Sequence, residues 1–151
     1  MNKLFVILVL ITGLSLAACG GGDSVRETGT VSGKQVLVGI GASDAVGIGS
    51  TDPERDNWVA QLAQRLPAGS RAINLGISSA EASRALEQEL PVALDAQPTL
   101  AVVWLGANDV QDGVSLPIFG QNLAQLLHGL RADGQTRVYV ANLPDLRLLP
   151  A

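Results

Sequence analysis

The sequence is poor in several residue types that carry chemistry. Its 151 residues include one cysteine, one histidine and 3% aromatic residues, and the formal net charge is −4. A single cysteine excludes an intrachain disulfide framework and a zinc site built from several cysteines. The few aromatic rings argue against a stacking platform for bases or sugars. A mildly acidic chain without a Lys/Arg cluster also lacks the basic face that nucleic acid requires, so no nucleic-acid partner is expected.

The first 18 residues have the pattern of a cleavable signal peptide. Lys3 precedes an apolar run from Leu4 to Leu16, which is shorter than the roughly 20 residues of a membrane-spanning helix but suits a signal-peptide core. Leu16-Ala17-Ala18-Cys19 resembles the lipobox of bacterial lipoproteins, whose cysteine becomes the lipidated first residue. The resemblance implies a membrane anchor at Cys19 in the bacterial envelope, and Gly20 favours the outer membrane. A plain secretory signal is the alternative.

Residues 19–33 are polar and glycine-rich and are predicted to form a flexible tether, with one domain from residue 34 to 151. In that domain, short apolar β-branched runs alternate with helical periodicity. This alternation predicts an α/β fold with a parallel sheet covered on both faces; a mixed α+β domain is the alternative. The predicted strands are 35–40, 71–75, 99–105 and 137–142, and the predicted helices are 56–66, 79–96 (kinked or split at Pro91) and 116–131.

Residues suited to acyl transfer follow three of the predicted strands. Ser43 follows the first strand, Gly76 the second and Asn108 the third. Because the carboxyl ends of parallel strands meet at one edge of a sheet, these residues are expected to converge. A serine hydroxyl can attack an ester carbonyl, and the N–H groups of Ser43 and Gly76 with the Asn108 amide can stabilise the negative oxygen that develops.

The segments that contain these residues resemble the conserved blocks of a known family. Gly41-Ala42-Ser43-Asp44-Ala45-Val46-Gly47, Asn74-Leu75-Gly76 and Gly106-Ala107-Asn108-Asp109 are similar, in this order, to the first three blocks of the SGNH (GDSL) hydrolases. Asn142-Leu143-Pro144-Asp145 resembles the stretch after the fourth strand of many members. The resemblance implies a flavodoxin-like three-layer α/β/α sandwich that hydrolyses small-molecule esters or thioesters. It makes Ser43 the nucleophile and assigns the oxyanion hole to Ser43, Gly76 and Asn108.

The chain departs from that family's pattern at two places. Ala42 stands where the family has an aspartate before the serine, and we expect a less precise loop rather than lost chemistry. The family takes its base and orienting acid from an Asp-x-x-His block after a fifth strand, and the chain has no such block. We therefore expect an incomplete SGNH domain, with the last strand and helix missing, that is inactive or nearly so. The alternative is a non-catalytic envelope lipoprotein that uses the same cleft for binding.

The one histidine is not expected to replace the missing base. Leucines 123, 126, 127 and 130 share one face of the predicted helix 116–131, and His128 lies about 100° beyond Leu127 around the helix axis. His128 is therefore predicted to face solvent, far from Ser43. A general base has to come within about 3 Å of the hydroxyl that it deprotonates.

The remaining candidates have simpler interpretations. Asp44 is predicted to be a loop or cap ligand, Asp109 to hold the loop that aims Asn108, and Trp104 to lie in the core. The acidic run Asp52–Asp56 is interpreted as a turn and a helix start rather than a cation site. A dinucleotide site after Gly39-x-Gly41 is not expected, because its third glycine position is occupied by Asp44, and no cofactor or metal is predicted.

Overall fold

The computed structural model describes residues 33–143, which contain a single four-stranded parallel sheet. All four predicted strands are confirmed to within two residues at each end. Their order in the sheet is β2-β1-β3-β4, so the first strand lies in the interior and the chain crosses over it to form the third. The strands are β1 (Val36–Gly41), β2 (Arg71–Asn74), β3 (Leu100–Trp104) and β4 (Arg137–Val140).

Helices connect the strands, as the periodicity predicted. The first connection divides into three short helices, the second is a continuous helical segment, and the third contains one short and one long helix. They are α1 (Ser43–Val46), α2 (Pro53–Asp56), α3 (Trp58–Ala63), α4 (Ala82–Arg84), α5 (Leu90–Asp95), α6 (Ala107–Gln111) and α7 (Leu116–Leu130), with a π-helical turn, Ala85–Glu89, between α4 and α5.

Two hydrophobic layers form because successive side chains of a strand point to opposite faces. On one face, Val38 and Ile40 of β1 pack with residues of the segment 82–95 and of α7. On the other face, Leu37 packs with Ala45 of α1 and Val59 of α3. The sheet therefore lies between two helical layers, which confirms the predicted three-layer α/β/α sandwich.

Local sequence explains a helix boundary in the first connection and a change of hydrogen-bond pattern in the second. The Asn57 side chain accepts a hydrogen bond from the Ala60 N–H (2.8 Å) and so caps α3. The predicted helix 56–66 is thereby shortened, and Asp56 belongs to α2 instead. The predicted helix 79–96 begins at Ala82 and is not broken at Pro91: because proline has no N–H to donate, the hydrogen-bond pattern changes instead, and a π-helical turn ends two residues before Pro91.

Several predictions fall outside the described residues. These are the signal peptide 1–18, the lipidation site Cys19, the tether as far as residue 32, and the Pro144-Asp145 part of the last motif. Within residues 33–143, no helix is both long enough and apolar enough to cross a bilayer.

Candidate active site

Ser43 lies at the carboxyl end of β1, where the strand passes into α1. It is the first residue of α1 and is half-buried. The first N–H groups of a helix have no partner within that helix, so the backbone N–H of Ser43 remains available to an acceptor in the cleft. This confirms the prediction that Ser43 lies where the carboxyl ends of the parallel strands meet.

Asn108 lies beside Ser43 because Gly106 turns the chain sharply after β3. Gly106 has φ +112°, a conformation that favours glycine, and it immediately precedes α6. The Asn108 Nδ2 group donates a hydrogen bond to the Ala80 carbonyl (2.9 Å). An amide nitrogen carries two hydrogens, so the second can still be donated to a substrate.

Ser43 and Asn108 line the same cavity, of about 220 Å³. Trp104 also lines it, and its ring lies 6.4 Å from that of Trp58, tilted by 57°. The prediction that Trp104 belongs to the core is therefore wrong. It is half-buried because it is the last residue of β3, where the side chain lines two cavities.

Gly76 adjoins the Ser43 turn but does not line that cavity. A Cβ added at Gly76 would lie 2.5 Å from the Ala45 Cβ and 3.2 Å from the Ala42 carbonyl oxygen, so only glycine fits this approach. The Gly76 N–H donates to the Asn74 Oδ1 (3.1 Å), and the Asn74 Nδ2 donates to the Ala45 carbonyl (2.6 Å). The predicted oxyanion donor is thus hydrogen-bonded to Asn74, and a substrate oxygen would have to share or displace this contact.

Two aspartates hold the backbone around the site, as predicted. Asp44 accepts hydrogen bonds from the Ala42 N–H (3.1 Å) and the Trp58 Nε1–H (2.9 Å), which confirms its role as a loop ligand. The buried carboxylate of Asp109 accepts from the Ala82 N–H at 3.1 and 3.2 Å. Because Asn108 bonds to Ala80, both side chains fasten α6 to the chain segment that leads into α4.

Glu89, which no sequence motif indicated, also contacts the backbone next to Ser43. Its side chain is buried, and the Oε2 accepts a hydrogen bond from the Gly41 N–H (3.0 Å), two residues before Ser43. Burial raises the pKa of Glu89 to about 7. One signal was available in the sequence, because Glu89 shares helical spacing with Ala82, Ala85 and Ala93, all of which are buried.

The other ionisable candidates, His128 and the run Asp52–Asp56, do not line the cavity of Ser43 and Asn108. His128 is exposed in the last turn of α7, as predicted. In the run Asp52–Asp56, Asp52 is the N-cap residue and the other four residues form the whole of α2. The Asp52 N–H donates to the Asp56 Oδ2 (3.2 Å), and Arg55 forms a long, exposed ion pair with Asp52 (3.9 Å). Its interpretation as a turn and helix start is confirmed.

A second cavity, of about 290 Å³, adjoins the first beyond Gly106. The two cavities share Leu105, Gly106 and Leu143. The walls of the second are mostly apolar and include Val110, Val114, Leu116, Phe119 and Leu123. The cavity that holds Ser43 and Asn108 therefore lies beside a second cavity with mostly apolar walls.

Comparisons with known proteins agree with this architecture. No curated protein sequence matches the chain. Among solved structures, TesA is 32% identical, with a TM-score of 0.64 over 73% of this chain and 62% of its own. AlinE4, described as an SGNH-hydrolase family esterase, is 26% identical, with a TM-score of 0.61 over 74% and 60%. The psychrotrophic esterase EstA from Pseudoalteromonas sp. shares the fold at 21% identity, with a TM-score of 0.59 over 70% and 57%.

The chain spans less than two thirds of the length of these solved structures. The model of the GDSL-like lipase/acylhydrolase family matches residues 22–151, which is most of the chain and includes all the described strands. The chain belongs to the GDSL-like lipase/acylhydrolase family.

Proposed function

We propose that the site performs acyl transfer from an ester through Ser43. The observation that carries this proposal is the shared cavity of Ser43 and Asn108, which puts a nucleophile and an amide donor around one space. The Ser43 oxygen would attack the carbonyl carbon and pass its proton to a base. The Ser43 N–H, the Asn108 amide and, after displacement of Asn74, the Gly76 N–H would stabilise the oxyanion.

The first half ends when the bond from carbon to the alcohol oxygen breaks, the alcohol takes the proton from the base, and an acyl-Ser43 ester remains. In the second half, water gives a proton to the base and attacks this ester; the bond from carbon to the Ser43 oxygen then breaks, the oxygen takes the proton back, and the carboxylic acid leaves. Each half needs a proton carrier within about 3 Å of the reacting oxygen. The only histidine of the 151 residues is His128, exposed on α7. We therefore propose that these residues alone turn over esters very slowly.

External imidazole tests this proposal, because it can supply the proton transfer that the chain does not. We expect imidazole to accelerate hydrolysis of p-nitrophenyl esters by the chain, above the rate at which imidazole acts alone. Ser43→Ala should reduce the rate to that of imidazole alone. Without imidazole, a fluorophosphonate probe should label the protein poorly. Strong labelling of Ser43 without imidazole would contradict the predicted inactivity, and no acceleration would favour a protein that uses the cleft only for binding.

The apolar cavity suggests which part of the ester binds there. We propose that the acyl chain extends from Ser43 past Gly106 into the space lined by Val114 and Phe119. Each methylene that leaves water for such a wall contributes about 0.8 kcal/mol. In the imidazole assay, p-nitrophenyl hexanoate should therefore have a lower KM than the acetate. Equal KM values would place the acyl chain elsewhere.

We also propose that the protein is a lipid-anchored component of the bacterial envelope. The support is the sequence Leu16-Ala17-Ala18-Cys19 after a short apolar run. Expression in a bacterium with radioactive palmitate should label the wild type in the membrane fraction, and Cys19→Ser should abolish the label. Labelling that survives Cys19→Ser would contradict the assignment. Separation of inner and outer membranes would test the expected outer-membrane location.

A further inference from the structure

Glu89 is a buried acid that the proposed reaction does not use. Its side chain is 1% exposed and ends the π-helical turn between α4 and α5. One carboxyl oxygen, Oε2, accepts from the Gly41 N–H at 3.0 Å, and the other, Oε1, is buried with no hydrogen-bond partner in the part of the chain that the structure describes. A buried polar atom without a partner is costly, which calls for an explanation of this residue.

The residue that Glu89 holds is the last one of β1. Gly41 pairs with Trp104 of β3, and its carbonyl accepts a hydrogen bond from the Ile77 N–H (3.1 Å), next to Gly76. Ala42 and Ser43 follow directly. The Glu89 bond therefore fixes the peptide nitrogen from which the nucleophile turn departs, while the loop after β2 fixes the carbonyl.

Two charged groups act on Glu89 from the elements packed around it. Burial is the main reason that the pKa of Glu89 rises to about 7, and the negative charge of Asp44 in α1 raises it further. The Gly41 N–H and the positive charge of Arg84 in α4 lower it. The carboxyl group consequently changes its charge close to neutral pH.

We propose that Glu89 is a positioning residue that sets the backbone geometry of the Ser43 turn through Gly41, and that it does so more strongly as a carboxylate than as a neutral acid. A hydrogen bond to an ionised acceptor is shorter and roughly twice as strong as one to a neutral acceptor. When Glu89 is charged, Gly41 is drawn toward it, and the orientation of the Ser43 N–H changes with it. An effect of this geometry on catalysis presupposes the proposed acyl transfer through Ser43, whereas the effect on the backbone does not.

Nuclear magnetic resonance tests the positioning effect without any activity. Amide resonances would be followed from pH 5.5 to 8.5 in the wild type, in Glu89→Gln and in Glu87→Gln, a control at an exposed glutamate of the same helical segment. The Gly41 and Ser43 amides should shift with one midpoint near 7 in the wild type and in Glu87→Gln. They should not titrate in Glu89→Gln.

Two results would overturn the proposal: an unchanged titration in Glu89→Gln, or a Ser43 amide that stays fixed while Gly41 titrates. If Glu89→Gln does not fold, the side-chain carboxyl carbon of Glu89 in the wild type gives a second measurement. Its midpoint should coincide with those of the two amides. A different midpoint would contradict the proposal.

The imidazole assay then separates this proposal from the proposed function. The ratio of wild-type to Glu89→Gln kcat should be about 1 at pH 5.5 and rise to roughly 5 at pH 8.5, with KM unchanged, because one additional kcal/mol corresponds to about that factor. Because imidazole titrates identically in both assays, its own pH dependence cancels in this ratio. If the wild type shows no turnover at all, the proposed function fails, and the amide titration alone still decides the role of Glu89.

Discussion

At the scale of single residues, the site is held by side chains that bind backbone rather than by direct contacts between catalytic groups. Asn74, Asp44 and Asp109 each accept from a backbone N–H near the cleft, and Asn108 donates to a carbonyl. Such bonds fix the direction of the donors before a substrate arrives. A donor fixed in this way, such as the Asn108 amide, costs no rearrangement at the moment of reaction, whereas the Gly76 N–H first has to leave its bond to Asn74.

Asn108 offers the most direct test at this scale. Asn108→Ala should lower the imidazole-assisted kcat by about 100- to 1,000-fold, because it removes one oxyanion donor. The circular dichroism spectrum should remain that of the wild type. Gln121→Ala, at an exposed position of α7, serves as the control and should retain full activity. Wild-type turnover in Asn108→Ala would remove this residue from the oxyanion hole.

How much of the site the sequence predicts also depends on single residues. Ser43 and Asn108 were predictable because each directly follows an apolar strand, and topology alone then places them at one edge. The hydrogen bond from the Gly76 N–H to the Asn74 side chain was not predictable, because it depends on a side-chain rotamer that sequence spacing does not determine. Glu89 was missed because a charged residue in a helical pattern is ordinarily assigned to solvent, even where its spacing matches that of buried alanines.

At the scale of elements, α1, which follows β1, packs closely against the loop after β2. Gly76 allows α1 to approach, since a Cβ at this position would meet Ala45 at 2.5 Å. The same contact brings the loop after β2 beside the Ser43 turn. The absence of a side chain at Gly76 therefore sets the distance between α1 and the loop after β2.

Two glycine-to-alanine substitutions separate the effect of this close contact from the effect of glycine on backbone entropy. Gly76→Ala should lower the free energy of unfolding by about 1–3 kcal/mol, the usual cost of overpacking. Gly120→Ala is the matched control, because Gly120 lies in α7 with nothing near its added Cβ. This control should raise stability by roughly 0.5–1 kcal/mol. Urea unfolding measures both, and equal stability of Gly76→Ala and the wild type would refute the close contact.

At the scale of the whole molecule, the buried charge of Glu89 makes stability depend on pH. The pKa of this acid is raised from 4.5 to about 7 in the folded state, so the folded state binds the proton more tightly than the unfolded state. The stability contributed by Glu89 is therefore fully present below pH 4.5 and is lost as the pH rises to 7 and above.

Glu89→Gln should remove this loss. Relative to the variant, the wild type should lose about 3 kcal/mol of unfolding free energy between pH 4.5 and 8, since one pKa unit corresponds to about 1.4 kcal/mol. Urea unfolding of both proteins across this range gives the difference directly, and the titration of other carboxyl groups cancels. A difference that stays constant with pH would show that Glu89 has no raised pKa.

The exposed edge at β4, one of the two outer strands of the described sheet, is a second property of the whole molecule. Within residues 33–143, β4 pairs only with β3, and Tyr139 and Val140 are 42% and 45% exposed. An open, apolar edge strand tends to pair with other chains, and lysine opposes this pairing.

Val140→Lys should weaken self-association roughly 5- to 30-fold, as measured by sedimentation velocity. Val92→Lys, at an equally exposed valine on α5 (51%), should leave it unchanged; equal effects would assign the association to general hydrophobicity.

The interior position of β1 has a consequence for the newly made chain. The first strand to be synthesised pairs with β2 and β3, and its partner Leu100 lies 63 residues after Leu37. At about 5–20 residues per second, a ribosome needs roughly 3–13 s to produce that partner. Until then the side of β1 that pairs with β3 has no strand partner, and Val38 and Ile40 also lack the α7 leucines that pack on them in the folded protein. The nascent chain therefore exposes an apolar strand with an unpaired edge at a stage when its cleft does not yet exist.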